Sequence, residues 1–538
     1  MKKLLYALII SMISAYSFGI NYYISPTGLT TNSGTTAASP KGTLAQVFAA
    51  FNLNSNDTVF VAAGTYTEAG TSVGSNDESF VIQGAPINLN GEPASIFDSN
   101  SSSRWLLIGN ANNDNITINN LLIKDYKNSD GGTPGGGGAI RAIGLATGIK
   151  INYCTFDNCD TRTASLQHRG GAIYAATAID VRYSTFRNCN SEHHGGAISI
   201  ELSPASNSNI SYCKFYANGC SAYGTAVFYG VSSTRTLNMT NCLLYENGNS
   251  SGEACIAGMN GSSTINITNC TVTKNGNASK GTGGILALSS AKIYVRNTII
   301  YQNIGNTYND AYNNTSTLSF VNCLYGSSSE INSVSPNTSP TVSNPSFLDP
   351  DNDDYHLSGT SAAIDGGTTT SAPNDDLDLS QRIGNPDIGA YEFIPSALPI
   401  ELLSFEGNWE EEGNVLTWST ATEHNNDYFT IIWSKDGLEF SAIARIPGAG
   451  NSIFTKRYRY LDDYPSEGVN YYILRQTDYD GRFDDSEIIS VLSKSGKEQI
   501  LVSCTNLLGQ KADPDSKGIL LMRYRIGPKE FTIKKANF

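Results

Sequence analysis

Three of the five histidines in this chain, together with one arginine, lie directly before two copies of the tetrapeptide Gly-Gly-Ala-Ile. These residues are His168, Arg169, His193 and His194. If the two tetrapeptides stack on each other, the four side chains become neighbours. An imidazole beside a guanidinium suits lyase chemistry on uronic acids, because one group abstracts a proton and the other neutralises the carboxylate. Clustered imidazoles can also ligate a metal ion. The alternative is a solvated ladder at a turn, and since zinc-type Cys/His spacing is missing, no metal is assigned.

Five tyrosines near one edge of a repeated phrase form a second candidate site. They are Tyr153, Tyr183, Tyr212, Tyr216 and Tyr245. Aromatic rings with a hydroxyl group can pack on the apolar face of a sugar and also hydrogen-bond to it. The set therefore predicts a glycan-stacking face. The alternative is ordinary stacking of tyrosines between neighbouring strands.

Two groups of aspartates are weaker candidates for a catalytic or a calcium site. Asp157 and Asp160 are considered as the two acids of a glycosidase on proximity alone. Asp349, Asp351 and Asp353 begin like a calcium loop, but the sixth position is aspartate instead of glycine and the twelfth is threonine instead of glutamate. An EF-hand is therefore excluded. A looser calcium site is the remaining alternative, and no other cofactor is expected.

These candidates depend on a phrase that recurs through the middle of the chain: aliphatic, x, aliphatic, x, Asn or Tyr, Cys, x, aromatic or aliphatic. Its sixth slot holds Cys, Ser or Thr at positions 154, 184, 213, 242, 270, 298 and 323. The successive steps are 30, 29, 29, 28, 28 and 25 residues. Such a period is typical of a solenoid, in which each repeat buries its apolar face against the next. Because apolar and polar residues alternate, the repeat consists of short strands, and the glycine turns introduce a further strand per period.

Two inward slots of the repeat carry distinctive residues. The first holds five cysteines, for which a ladder of buried thiols is expected, with disulfides between neighbouring turns as the alternative. They are Cys154, Cys213, Cys242, Cys270 and Cys323. The second slot lies five residues later and is expected to form a column of amides that bond along the stack. It holds Cys159, Cys189, Asn218, Asn247, Asn275 and Asn303.

The N-terminal sequence indicates an exported protein, and the net charge limits the partners that it can bind. The 538 residues carry a net charge of −14, which argues against nucleic acid or an anionic membrane as a partner. Residues 1–19 have a basic start, an apolar stretch and small residues at the end, which is typical of a secretory signal peptide. No later apolar stretch is long enough to predict a transmembrane segment.

The repeat resembles the right-handed parallel β-helix of the pectin-lyase-like superfamily and of secreted bacterial proteins. The resemblance implies that any catalytic residues lie on the outward face of stacked coils. Residues 22–66 are similar to the opening of extracellular β-helix proteins, where a short helix, here about Leu44 to Phe51, helps to close the solenoid end. Asp387-Ile-Gly-Ala-Tyr-Glu392 resembles the end of the choice-of-anchor module, which in bacterial surface proteins lies between a solenoid and an anchoring tail.

A separate unit follows at about 398–491. Alternating strands, divided by turns such as Lys435-Asp-Gly437 and Asp480-Gly481, predict an immunoglobulin- or fibronectin-like sandwich. Leu398-Pro-Ile-Glu-Leu402 resembles the β-sandwich that precedes type IX secretion tails in Bacteroidetes proteins. The final residues, including Asn506-Leu-Leu-Gly-Gln510, are similar to the second half of a type IX sorting domain, although its usual Tyr-Pro-Asn-Pro opening is missing.

We therefore expect an all-β protein in five parts. They are a signal peptide at 1–19, a right-handed parallel β-helix at 20–346, a choice-of-anchor closing module at 347–395, an immunoglobulin-like sandwich at 396–492 and a divergent type IX sorting tail at 493–538. The expected location is the cell surface or the extracellular space, reached through the periplasm and outer membrane by the type IX secretion machinery. The expected role is a non-catalytic adhesin or glycan-binding surface for an extracellular polysaccharide. The alternative is a polysaccharide lyase or glycosidase acting on acidic polysaccharides, and it is disfavoured because no convincing acid/base pair with a cationic clamp is present.

Overall fold

The chain forms two compact units in a computed structural model, one ending at Phe393 and the other beginning at Ile394. The structure describes residues 19–87, 92–99, 103–109, 115–128, 135–144, 148–162, 167–202, 204–248, 252–261, 263–394, 402–421, 423–452, 455–478, 483–493, 500–506, 509–526 and 529–537. The predicted signal peptide lies outside these residues, apart from its last position. About 50% of the chain is strand and 3% is helix, which confirms the all-β prediction.

The first unit is a parallel β-helix, as the repeat predicted. Over the described residues, successive turns add one strand to each of three parallel sheets. Sheet A contains Asn21–Ile24, Asp57–Val61, Phe80–Gly84, Ile116–Asn119, Ile149–Asn152, Ile179–Arg182, Ser208–Ser211, Thr236–Thr240, Thr264–Thr268, Lys292–Arg296, Thr317–Val321 and Asn337–Thr338. Sheet B contains Gly64–Tyr66, Ser95–Asp98, Leu121–Lys124, Thr155–Asp157, Thr185–Arg187, Lys214–Tyr216, Leu243–Tyr245, Thr271–Thr273, Ile299–Tyr301, Leu324–Tyr325 and Thr341–Val342. Sheet C contains Thr71–Ser72, Leu106–Ile108, Ile140–Ala142, Ile173–Ala175, Ile198–Leu202, Val227–Val231, Ile256–Met259, Ile285–Leu288, Ala311–Asn314 and Ile331–Asn332. Asn190–Ser191 and Gly219–Cys220 pair in a small additional sheet.

The repeated phrase covers a strand of sheet A, a tight turn and a strand of sheet B. Equal positions of neighbouring copies pair in register, as Ile151 does with Val181 in sheet A and Phe156 with Phe186 in sheet B. The Asn-or-Tyr position between the strands is left-handed, with φ of 54° at Tyr153. A left-handed backbone turns the chain sharply, and asparagine tolerates it better than most residues do.

The inward cysteine slot forms one internal column. The amide of Cys242 donates to Sγ of Cys270 on the next turn at 3.4 Å. All ten cysteines belong to the described residues, and each is a buried thiol. Burial raises the pKa of Cys154 and Cys323 to about 12, so the reactive thiolate is scarce and these thiols are protected from oxidation.

The asparagine slot forms a second internal column, as predicted. Nδ2 of Asn218, Asn247 and Asn275 donates to Oδ1 of the next asparagine at 2.8, 2.9 and 2.9 Å respectively. The column ends where Asn303 donates to Oδ1 of Asp310 at 2.9 Å. Each of these asparagines also donates to a backbone carbonyl, so the buried amides are satisfied.

A helix lies against the first turns of the solenoid. It spans Leu44–Ala50, close to the predicted bounds, and begins where the hydroxyl of Thr43 accepts the amide of Gln46 at 3.2 Å. Leu44, Val47 and Phe48 are buried against the solenoid core. The helix therefore covers apolar groups at the end of the stack.

Residues 347–393, called the closing segment, run along the turn between sheets A and B. Their strands Phe347–Asp349 and Asp354–Leu357 form an antiparallel pair. Four asparagines at left-handed turn positions donate their side-chain amides to backbone carbonyls of this segment at 2.7 to 3.0 Å. They are Asn241, Asn269, Asn297 and Asn322. The closing segment thus packs along the side of the solenoid.

The second unit contains antiparallel sheets. Leucine, tryptophan and phenylalanine side chains from the first two sheets share one core, which includes Leu416, Trp418 and Phe429 and confirms the predicted sandwich. The first sheet contains Leu402–Glu410, Gly413–Thr420 and Lys456–Asp462, and the second contains Glu423–Ser434, Ser441–Ser452, Gly468–Asp478, Phe483–Asp485 and Ile489–Ser493. A third sheet in the predicted β-rich tail contains Ile500–Asn506, Gly518–Ile526 and Lys529–Asn537. The predicted Asp480-Gly481 turn lies outside the described residues.

Candidate functional site

The dipeptides His168-Arg169 and His193-His194 occupy the turns that lead into sheet C. The amide of His193 donates to the carbonyl of His168, and the amide of Gly170 donates to the carbonyl of His194, both at 2.8 Å. Gly170 and Gly195 follow with φ of 66° and 67°, which a glycine adopts without strain. The predicted stacking of the two turns is therefore confirmed.

Burial limits what these histidines can do. His168 has 0% exposure and His194 has 6%. The His194 ring stacks on Phe228 at 4.1 Å, and burial, followed by the charges of His193 and Arg169, lowers its pKa to about 3. A general base works best when its pKa lies near the working pH. His194 is therefore neutral and a weak base, and neither buried ring is solvated as a surface ladder would be.

Arg169 is engaged by an acid that sequence reasoning missed. Its guanidinium forms an ion pair with Glu201, and the hydroxyl of Ser199 donates to Oε1 of Glu201 at 2.7 Å. Burial raises the pKa of Glu201, although Arg169 opposes the shift. The available signal was an acidic residue inside the strand Ile198–Leu202, between the apolar residues Ile200 and Leu202. The arginine proposed as a clamp for a substrate carboxylate thus already binds a carboxylate of the protein.

The two candidate glycosidase acids are also paired. Arg187 donates from Nε to Oδ2 of Asp157 at 2.9 Å, and Arg162 donates to Oδ2 of Asp160 at 2.8 Å. Each carboxylate is already bound by an arginine of the protein, whereas the two acids of a glycosidase must face the substrate and its attacking water. This geometry does not favour an acid/base pair.

Three of the predicted tyrosines form one continuous stack. Tyr153 and Tyr183 have ring centroids 4.8 Å apart, and Tyr183 and Tyr212 have centroids 4.9 Å apart. The rings cover each other's inner faces, and Tyr212 also packs against the buried cluster that includes Leu243 and Tyr355. Ring edges and the outer face of Tyr153 therefore remain for a ligand. Tyr153 is 44% exposed. The stacking expected between strands is present, and little of the predicted sugar-stacking face is available.

The other two tyrosines lie at the closing segment. Tyr216 and Tyr245 stack with centroids 5.0 Å apart, and Tyr245 packs on Tyr355 of the closing segment at 5.1 Å. Tyr245 is only 7% exposed. A ring covered on both sides has no face for a sugar, so we do not assign Tyr245 to a binding surface.

A groove of about 430 Å³ crosses the outer face of sheet A, which the predicted site did not include. We call it the flank groove. Its main lining residues are Asn238, Thr240, Asn266, Thr268, Tyr294 and Arg296, and Ser371 of the closing segment also lines it. Each of the six follows a buried apolar residue on one of three neighbouring strands, so the period-two pattern directs them to the outer face, where Thr268 is the most covered, with 9% exposure. In the sequence these outward residues occupy the variable positions of the repeated phrase, and this placement was the signal for a polar outer face.

The flank groove combines amides, hydroxyls and an accessible ring. Nδ2 of Asn266 donates to Oδ1 of Asn238 at 2.9 Å, which orients both amides along the sheet. Tyr294 is 43% exposed and lies in register between Asn266 and Ser319, neither of which carries a ring. Its aromatic faces are therefore not used in a stack. Such a combination can hydrogen-bond to sugar hydroxyls while the ring packs on an apolar sugar face.

No metal is predicted, and the alternative of a loose calcium site stays untested. Across the described ranges there is no group of three or more His, Cys, Asp or Glu residues arranged to hold a metal ion. Near the proposed calcium loop, Nζ of Lys274 lies 3.5 Å from Oδ1 of Asp351, whose side chain is 94% exposed. A cation already lies beside that carboxylate, which weakens its attraction for calcium.

None of the helices in the described part of the chain has the length and apolar character needed to span a bilayer. No family model matches the chain, and no curated protein matches it.

Proposed function

We propose that this chain is an exported protein whose β-helix binds an extracellular glycan in the flank groove, acting as an adhesin or glycan-binding surface without catalysis. The observation that carries the proposal is the exposed Tyr294 ring beside a row of outward amides and hydroxyls. Specific carbohydrate recognition needs directional hydrogen bonds together with a flat apolar contact. The flank groove supplies both on one rigid sheet.

The amide ladder leaves hydrogen-bonding capacity toward the groove. Each asparagine amide has two N–H donors and two acceptor lone pairs. Asn238 donates one N–H to Asn209 at 3.1 Å and accepts one from Asn266 at 2.9 Å. One donor and one acceptor site of Asn238 therefore remain for a ligand, and the ladder fixes their direction in advance, which lowers the entropic cost of binding.

Export is supported by sequence features. Residues 1–19 have the composition of a signal peptide, and the end of the chain resembles a type IX sorting tail. These features favour delivery to the cell surface or beyond by the type IX secretion machinery. The buried thiols with raised pKa values suit an oxidising compartment, because thiolate is the form that oxidises.

The test is a glycan array probed with the purified chain, followed by titration of any ligand found. Tyr294→Ala should weaken binding about 10-fold, since one aromatic contact contributes about 1 kcal/mol or slightly more. Phe483→Ala is the matched control, because it removes an exposed aromatic ring from the second unit, outside the solenoid. Unchanged binding in Tyr294→Ala, or an array without any bound glycan, contradicts the proposal.

A lyase or glycosidase is the second candidate, favoured by one observation. The carboxyl of Glu201 forms an ion pair with Arg169, and burial raises its pKa, as at many acid/base sites. The native chain would be incubated with uronate polysaccharides while the absorbance of an unsaturated product is followed. Turnover that Glu201→Gln and His194→Ala both abolish would replace the binding proposal with an enzymatic one.

A further inference from the structure

The outer face of sheet A carries an unusual charge balance. Its outward positions include four cations and one anion, although the chain as a whole has a net charge of −14. These residues are Lys150, Asp180, Arg182, Lys292 and Arg296. A net positive face on a strongly acidic protein concentrates anions at that face and repels them elsewhere. The charge sign therefore points to the chemistry of the ligand.

The cations form two clusters along the solenoid axis. Lys150 and Arg182 lie on neighbouring strands, and Lys292 and Arg296 lie at the two ends of one strand that borders the flank groove. The strands of Arg182 and Arg296 are four steps apart in sheet A. Because neighbouring strands are about 4.8 Å apart, the two clusters are separated by about 20 Å.

The three strands between the clusters carry only uncharged outward groups over that distance. In register they present Asn209 and Ser211, then Asn238 and Thr240, then Asn266 and Thr268. The amides are linked by hydrogen bonds of 3.1 and 2.9 Å. The face is thus a straight row of hydrogen-bonding groups with positive charge at both ends.

Most of the positive charge is available to a ligand. Asp180 pairs with Arg182, with Oδ1 at 2.9 Å from Nε and Oδ2 at 3.0 Å from Nη2, and so neutralises one cation. Within the described ranges, Lys150, Lys292 and Arg296 form no ion pair at all. Three uncompensated cations therefore remain on this face.

We infer that the glycan is an extended, negatively charged polysaccharide that lies along the outer face of sheet A, with acidic groups at both cationic clusters and neutral hydroxyls over the amide row. This inference rests on the proposed function and specifies its ligand class. A chain spanning about 20 Å contacts five strands, so affinity grows with ligand length until both clusters are reached. A neutral chain gains only the contacts of the flank groove.

The test compares three probes on the full chain at low and high salt: alginate, a short uronate oligomer and a neutral glucan. Alginate should bind most tightly and weaken as salt rises, because screening acts on exposed charges. Arg296→Gln should weaken alginate binding about three-fold, and so should Lys150→Gln. Lys150→Gln should leave binding of the short oligomer unchanged, because an oligomer in the flank groove reaches only the cluster of Lys292 and Arg296. The triple variant with Lys292→Gln added should lose about ten-fold or more. Lys435→Gln, which removes an exposed lysine of the second unit, is the matched control.

The outcomes separate the inference from the function on which it rests. Glucan binding that equals alginate binding, resists salt and still depends on Tyr294 would overturn the inference and leave glycan binding in place. Alginate binding that is unaffected by Lys150→Gln and Arg296→Gln also overturns it. Failure of every glycan to bind would overturn the proposed function itself.

Discussion

The internal asparagine column should be a main determinant of solenoid stability, and Asn247→Ala tests this directly. Oδ1 of Asn247 accepts from the amide and from Nδ2 of Asn218 at 3.1 and 2.8 Å. Its Nδ2 donates to the carbonyls of Phe215 and Tyr245 and to Oδ1 of Asn275, at 2.9 to 3.0 Å. One side chain thus joins three successive turns of the stack.

The expected fall in the free energy of unfolding follows from the groups that lose their hydrogen-bond partners. After the substitution Nδ2 of Asn218 still has the carbonyl of Phe186, and Oδ1 of Asn275 still accepts the amide at position 247. The backbone N–H of Asn218 loses its acceptor, and an unsatisfied buried N–H costs about 1 to 3 kcal/mol. The small cavity and the lost amide bonds add to this, so the free energy of unfolding should fall by about 3 to 4 kcal/mol.

Asn238→Ala is the matched control on the same turn. Asn238 also lies in an amide ladder, but it is half-buried on the outer face, where water can replace its partners. Its loss should cost less than about 1 kcal/mol. Hydrogen exchange of peptides from residues 204–261, measured by mass spectrometry as urea is increased, reports the local unfolding free energy. Equal losses in the two variants, or a loss below about 1 kcal/mol for Asn247→Ala, would refute the reasoning.

Protonation and core packing lead to three further predictions. Burial alone would lower the pKa of His356, but hydrogen bonds to Asp354 and Asp378 outweigh it and raise the pKa to about 9. The stabilisation that protonated His356 provides is therefore full below pH 6.5 and is lost as pH rises towards 9. The thermal midpoint of His356→Gln should change less over that pH window than the midpoint of the unchanged chain. Burial raises the pKa of Glu68 to about 7, so the folded state binds the extra proton and stability falls as pH rises from 4.5 to 7; the same scan of Glu68→Gln should lack this fall. Trp418, with 1% exposure, anchors the sandwich core, and Trp418→Ala should cost about 3 to 5 kcal/mol in the second unit, seen as faster hydrogen exchange there and unchanged exchange in the solenoid.

The solenoid could be predicted because its information is local and repeated. Alternation of apolar and polar residues defines strands, and a period near 29 residues places equal positions on top of each other, so the pairing of Phe156 with Phe186 needed no coordinates. The same logic gave the internal columns of Cys242 and Cys270 and of Asn247 and Asn275. Repetition also identified which histidines would be neighbours.

The accessibility of the candidate sites could not be predicted in this way. The strand register predicts which residues are adjacent. Which of their side chains stay accessible to a ligand depends on how the rings pack and on segments from distant parts of the chain. Tyr183 lost both ring faces to its neighbours in the stack, and Tyr245 was covered by a segment about 110 residues later in the chain. His194 was buried against Phe228, which lies on the next strand of sheet C.

The sequence by itself determined the fold class, the stacking register and the sandwich, because each depends on short-range patterns that the chain repeats or alternates. The tertiary structure alone decided which surface is available. The closing segment runs where the turn residues change from tyrosine to asparagine, as at Asn241 and Asn269, whose amides hold its backbone. Those contacts join residues more than 100 positions apart, and no local pattern encodes them. They leave the outer face of sheet A, with Tyr294 and Arg296, as the surface on which binding can be tested.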